Sequence, residues 1–251
     1  MDLGLRDKGV VITGASKGIG RAAALQFADE GAHVAICARG AQALEATAGE
    51  LRAKGVKVFA KTADVSRANE LDGFLDAAKQ ALGRVDVLVN NTSGFGTSDD
   101  EAGWKKGFEI DVMASVRACW KVVPWMSESG GGSIIHISST SGLEAGSPPA
   151  YAAAKAALIS HSKTLAVSLA GKKIRVNVIA PGSIEFPGGV WEMIKNANRG
   201  YYDSIKATIP WGRLGSDTEV ANAVVFVASP RASWITGVTL SVDGGQHKGN
   251  L

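Results

Sequence analysis

Tyr151 and Lys155 stand four residues apart in the alanine-rich run Tyr151-Ala152-Ala153-Ala154-Lys155. That spacing is close to one helical turn, so the two side chains share a face. A free phenol ionises near pH ~10, and an ammonium beside it favours the phenolate and lowers that value. Such a tyrosine can protonate a carbonyl oxygen, or deprotonate an alcohol, near neutral pH. Ser138-Ser139, after the run Ile134-Ile135-His136-Ile137, offer a hydroxyl to hold the same oxygen. Any amphipathic helix can carry a Tyr-x-x-x-Lys pair. It gains chemical meaning when the same sheet also holds a redox partner.

A place for that partner lies near the start of the chain. Val10-Val11-Ile12 reads as a buried strand and Arg21 to Ala28 as a helix, with Thr13-Gly14-Ala15-Ser16-Lys17-Gly18-Ile19-Gly20 between them. Glycines in a strand-to-helix turn let backbone N–H groups approach a pyrophosphate, and the helix N-terminus adds partial positive charge. The spacing is G-x-x-x-G-x-G rather than the common G-x-G-x-x-G. A dinucleotide is the natural ligand, with Gly14, Ser16, Lys17, Gly18, Ile19 and Gly20 as its contacts. A glycine-rich surface turn is the alternative. An acid about 20 residues further on would bind a ribose 2′-hydroxyl, but Ala38-Arg39 stand there. Two cations, Lys17 and Arg39, and no acid favour NADP(H) over NAD(H). Asp64, beside Val65, is either an acceptor for an adenine amino group or a cap for the next helix. Asn90-Asn91-Thr92-Ser93-Gly94 ends the fourth strand with short polar side chains that hold a turn and line the cofactor site.

These groups fall at the ends of alternating strands and helices. After the first strand, strands are expected at 33–37, 57–61, 85–90, 133–137, 174–178 and 237–242. Helices are expected at 42–54, 66–82, 99–127, 149–169 and 218–228, with Ser66 as an N-cap. Residues 182–214 read as irregular, with short helical patterns at best. The prediction is an α/β fold, a doubly wound seven-stranded parallel sheet with helices on both faces, in one domain over 1–251. Right-handed crossovers bring the strand C-termini to one edge, where ligands bind.

Composition limits the alternatives. A length of 251 residues suits one α/β domain with a sizeable core, and 45% hydrophobic with 20% charged residues is ordinary for a soluble protein. A net charge of +3 gives no case for nucleic acid or an anionic membrane. No apolar run approaches the ~18 residues of a membrane span, and Met1 to Arg6 lacks the apolar core of a leader. Cys37 and Cys119 lie in separate apolar segments, and His33, His136, His161 and His247 show no metal-ligand spacing. The expectation is a cytoplasmic protein with buried free thiols and no metal.

Over nearly its whole length the chain resembles the short-chain dehydrogenase/reductases. The resemblance rests on Thr13 to Gly20, Asp64-Val65, Asn90-Asn91, Ser138-Ser139, Tyr151 to Lys155, Ile174 to Gly182, and Asp243-Gly244-Gly245. It implies a Rossmann-like fold and hydride transfer between the nicotinamide C4 and a carbonyl or carbinol carbon. Tyr151 would be the acid/base, and Lys155 would lower its pKa and bind the nicotinamide ribose. Pro181, Gly182 and Ile184 would lie beside the cofactor, and a homotetramer or homodimer built on the long helices is usual. The commonest spacing from Tyr151 gives Ser138 as the substrate-orienting serine. The Ser-x-x-Gly turn gives Ser139, which is preferred because turn geometry constrains a side chain more than loop length does. Three departures stand out: Thr92-Ser93 after the paired asparagines, Phe186 where a threonine often meets the cofactor, and Asp111 in place of a catalytic asparagine. An anion there is expected to raise the lysine pKa and to keep a working proton relay, unless Asp111 only caps or pairs structurally.

The same resemblance makes 183–214 a substrate-covering segment, with Phe186, Trp191, Met193, Ile194, Tyr201, Tyr202 and Trp211. With Phe95, Leu143 and Ser138 it predicts an apolar pocket for a small alicyclic, aromatic or acyl ketone or alcohol. Lys195 and Arg199 support a second reading, a 3-oxoacyl-carrier-protein reductase. A non-catalytic dinucleotide-binding protein is a third, supported only by Asp111 and Phe186.

Overall fold

Short β-branched and aliphatic runs bounded by glycine form the strands. The computed structural model describes residues 2–249. Its strands are β1 (Gly9–Thr13), β2 (His33–Ala38), β3 (Val58–Thr62), β4 (Val87–Asn90), β5 (Gly132–Ile137), β6 (Ile174–Pro181), the two-residue β7 (Ile184–Glu185) and β8 (Gly215–Ser216), and β9 (Thr239–Val242). The main sheet has seven parallel strands in the order β3-β2-β1-β4-β5-β6-β9. Its order reverses between β1 and β4, which opens a crevice at their C-terminal ends.

Successive side chains of a strand face opposite layers. Val10 and Ile12 of β1 join one core with Phe27, Leu51 and Val224, and Val11 joins the other with Phe74, Val122 and Leu169. The first core is closed by α1 (Gly18–Asp29), α2 (Ala41–Arg52) and α9 (Asp217–Ala228). The second is closed by α3 (Ala68–Leu82), α5 (Ala114–Glu128) and α6 (Pro149–Leu169). No helix among the described residues is long and apolar enough to cross a membrane.

Three local expectations need correction. Ser66 does not cap α3: the N-cap is Arg67, and Ser66 instead gives its N–H and hydroxyl to Asp64 Oδ1. The helix expected at 99–127 is α4 (Glu101–Gly107), a π-helical turn Phe108–Met113, and α5, with Asp100 as the N-cap. Residues 182–214 hold two amphipathic helices, α7 (Val190–Ala197) and α8 (Arg199–Thr208), and β7 pairs with β8. Tyr202, Ile209 and Leu214 give this segment a small core of its own, which short-range periodicity did not reveal.

Candidate active site

Pro149 opens α6 at its first position, where a missing N–H costs nothing. Tyr151 and Lys155 follow one turn apart, with the lysine Nζ 5.6 Å from the tyrosine ring centroid. Lys155 is 1% exposed and donates to Ile137 O at the end of β5, 3.1 Å away. Its Nζ also lies 2.8 Å from Asp111 Oδ1. Asp111 is fully buried in the π turn, and its Oδ2 accepts the Gly94 N–H at 2.7 Å. Burial opposes the Lys155 ammonium, but the Asp111 carboxylate and Tyr151 outweigh it and hold the lysine pKa above its ordinary value.

The two serines have different duties. Ser138 donates its hydroxyl proton to Lys155 O at 2.8 Å. Ser139 Oγ accepts the Ser141 N–H at 3.1 Å and caps the 3₁₀ turn Thr140–Gly142. Gly142 lets this turn lie directly on α6, since a Cβ there would be 2.7 Å from the Lys155 carbonyl carbon. Ser139 therefore keeps a proton to donate, and Ser138 does not.

Around these groups opens a cavity of about 730 Å³ at the C-terminal ends of β1, β2, β4, β5 and β6. Gly14, Ser16, Lys17 and Ile19 line one end, and Arg39, Asp64 and Val65 lie beyond them. Gly14 has φ +70° and Gly18 φ +56°, the left-handed region that glycine enters without cost. Gly18 and Gly20 do not line the cavity; they allow its packing. A Cβ at 18 would be 2.5 Å from the Phe186 ring, and one at 20 would be 2.4 Å from Asn91 Nδ2. That amide ties the β1 and β4 ends together by donating to Thr13 O and Gly14 O. Asp64 holds Ser66 through Oδ1, and this bond first, with Arg39 nearby, keeps its carboxyl below the usual range. Asp64 does not cap α3, whose N-cap is Arg67, and its Oδ2 has no protein donor among the described residues, so it is left to accept a hydrogen bond. Thr92 Oγ1 is buried against the cavity with no hydrogen-bond partner. Left-handed glycines in a strand-to-helix turn, two cations and an orphaned hydroxyl fit a dinucleotide.

Comparison with known proteins agrees with this geometry. A family model described as enoyl-(acyl carrier protein) reductase matches residues 14–247. The chain belongs to the short-chain dehydrogenase/reductases. An isoepoxydon dehydrogenase of Penicillium expansum is 36% identical over 256 residues, covering 98% of this chain and 97% of that one. A 3-oxoacyl-[acyl-carrier-protein] reductase of Staphylococcus epidermidis is 37% identical over 250 residues, covering 96% and 99%. The L-sorbose reductase of Gluconobacter frateurii, solved with NADPH and L-sorbose, superposes with a TM-score of 0.90 at 35% identity over 99% of this chain and all of that one.

The other end of this enzyme's cavity is mixed in character. Phe95, Val190, Trp191 and Tyr201 supply apolar surface, and Ser93, Thr97, Ser141 and Ser147 supply hydroxyls, while Phe186, expected in this pocket, packs its ring on Gly18 of the glycine turn. Phe95 has φ +48° and stacks on Tyr151, with centroids 6.0 Å apart. Pro181, Gly182, Ile184 and Ser138 also line the cavity. Leu143, expected in the pocket, does not line it; it ends the 3₁₀ turn, and the wall includes Glu144. Lys195 pairs with Glu185 at 2.7 Å, and Arg199 pairs with Asp203 at 2.9 Å and lies over Tyr202. Lys17 donates to Gly188 O at 3.0 Å, which joins the glycine turn to the segment before α7. Sequence reasoning missed this tie and the Asp111–Gly94 bond, since both join distant parts of the chain.

Proposed function

We propose that this protein is an NADP(H)-dependent oxidoreductase that interconverts a small ketone and its secondary alcohol, with Tyr151 as the acid/base. The observation that carries the reading is the buried Lys155–Asp111 pair set against the half-buried Tyr151 at the end of the crevice. A bound nicotinamide supplies the hydride that the carbonyl carbon gains in reduction and takes it back in alcohol oxidation. Tyr151 donates the proton that the carbonyl oxygen gains, and in oxidation it accepts the alcohol proton. The Lys155 ammonium stabilises the phenolate left behind and is held charged by Asp111. Ser139, with its free proton, orients the reacting oxygen. Asp111 touches neither substrate nor cofactor and acts as a positioning residue.

NADP(H) preference rests on Lys17 and Arg39 at the cofactor end, with Ala38 where an acid would repel phosphate. Lys17 must exchange the Gly188 carbonyl for a phosphate, so Arg39 is the main contact. The carrier-protein reading loses its own support, since both cations that suggested it are paired with carboxylates. The names of the relatives do not choose a substrate: they span a sugar, isoepoxydon and a carrier-bound 3-oxoacyl group. Exposed Trp104, Phe108 and Trp120 along α4 and α5 support assembly through the long helices. Buried, unpaired Cys37 and Cys119 suit a reducing, cytoplasmic setting.

Tyr151→Phe keeps the ring and removes the proton. We expect turnover to fall by about 10²–10⁴-fold while NADPH still binds, as followed by its absorbance and fluorescence. Ser139→Ala should lose more kcat than Ser138→Ala. Near-normal turnover by Tyr151→Phe overturns the reading. Arg39→Asp should weaken NADPH binding by about ten-fold or more and improve NADH binding. Equal dissociation constants for the two cofactors in the unmutated protein would refute the preference.

A further inference from the structure

The substrate end of the cavity carries more recognition chemistry than a plain ketone needs. Three of its serine oxygens already accept a hydrogen bond from the protein. Ser93 Oγ takes the Phe95 N–H at 3.2 Å, Ser139 Oγ takes the Ser141 N–H at 3.1 Å, and Ser141 Oγ takes the Ser147 hydroxyl at 2.7 Å. A hydroxyl has one proton to give. None of these three protons has an acceptor among the described residues, so each is left for whatever fills the cavity. The wall is therefore a set of donors, pre-oriented by the bonds that its oxygens accept. Only one donor besides Tyr151 is needed for the reacting oxygen, and Ser139 supplies it.

Aromatic rings line the same end of the cavity. Trp191 and Tyr201 stack with centroids 6.3 Å apart, and Phe95 lies against Tyr151. Flat rings accept the C–H face of a saturated or partly saturated ring but offer no partner to a hydroxyl on that side. The same cavity of about 730 Å³ must also hold a dinucleotide. A long acyl chain would leave the donors of the serine wall desolvated and unpaired, which costs free energy.

We infer that the substrate is a small ketone or secondary alcohol that carries at least one further oxygen acceptor (hydroxyl, second carbonyl or epoxide) beside its hydrocarbon part. This rests on the catalytic reading above and deepens it. The reacting carbon and oxygen undergo the hydride and proton transfer already described, and the extra oxygen is bound but not changed. Ser141 and Ser93 hold it, and the aromatic rings receive the hydrocarbon part.

The test pairs matched substrates with the intact protein and NADPH. Cyclohexanone is compared with 2-hydroxycyclohexanone and cyclohexane-1,2-dione, and butan-2-one with acetoin and butane-2,3-dione. The oxygenated members should be reduced with kcat/KM at least ten-fold higher, through a lower KM. Ser141→Ala should cut that ratio by about three- to ten-fold, the worth of one hydrogen bond. In saturation-transfer NMR of the complex with NADP⁺, the C–H protons of the bound hydroxyketone should take up saturation from aromatic protons. A ratio near one, a preference for the plain ketones, or a ratio unaffected by both Ser141→Ala and Ser93→Ala overturns the inference while leaving the catalytic reading in place. Turnover of neither series in either direction overturns that reading and this inference with it.

Discussion

At the scale of single residues, Asp111 is where this chain departs from its family with the largest consequence. Both carboxylate oxygens are engaged, one by Lys155 Nζ at 2.8 Å and the other by the Gly94 N–H at 2.7 Å. Gly94 is followed by Phe95, whose ring lies on Tyr151, so one buried anion braces the lysine and the loop that covers the tyrosine. Asp111→Asn keeps an acceptor for Gly94 but removes the charge. Burial would then act on Lys155 without its counter-ion, and the lysine pKa would fall. The ammonium would be lost at lower pH. We expect the alkaline limb of kcat/KM for alcohol oxidation to move down by about one unit or more, with activity retained at neutral pH. A pH–rate profile identical to that of the unmutated enzyme would reduce Asp111 to a structural tie.

At the scale of elements, the π turn and one arginine show how helices are fitted to the sheet. Phe108–Met113 widens an otherwise continuous helix and brings Asp111 inward to Lys155. Such turns cluster at functional sites. On the far side of β6, Arg175 donates to Val227 O, Ala228 O, Ser229 O and Ile235 O. The guanidinium therefore closes the C-terminal end of α9, where the helix dipole favours a cation. Burial lowers its pKa, yet a guanidinium stays charged. Arg175→Met would leave those carbonyls without their donor at a cost of about 3 kcal/mol. For a chain of this size that corresponds to a fall in Tm of about 6–12 °C. Thermal unfolding followed by circular dichroism measures it, and an unchanged Tm would mean that water replaces the arginine freely.

At the scale of the whole molecule, buried histidines make stability depend on pH. His136 lies in the core of β5, with Asn90 Nδ2 3.3 Å from Nδ1 and the His161 ring at an edge-on 5.5 Å. Burial first, then His161 and Lys155, push its pKa down to about 3. The unfolded chain takes up that proton near pH ~6.5. Between these values the unfolded state binds more protons, so stability is fully present above pH ~6.5 and falls as the pH drops. The slope from this one group is about 1.4 kcal/mol per pH unit. Urea unfolding at pH 7 and pH 5 should differ by about 2 kcal/mol on this account, and His136→Gln should flatten the difference. Equal slopes for both proteins would show that other groups govern acid unfolding.

Local chemistry in the chain determined the strand and helix order, the glycine turn, the Tyr151–Lys155 face and the two cations at the cofactor end. Periodicity and glycine placement act over a few residues, so they are legible without a fold. Contacts between distant segments decided the rest. Whether Ser138 or Ser139 keeps its proton depends on the Lys155 carbonyl, which only packing of the turn on α6 brings near. Lys195 and Arg199 look free in the sequence and are paired once Glu185 and Asp203 are in place. The helix that carries Asp111 reads as regular, because a single π turn leaves no mark in an apolar pattern. Serines that read as turn formers became a donor wall because their oxygens are filled by neighbouring N–H and O–H groups and the remaining protons face one shared cavity.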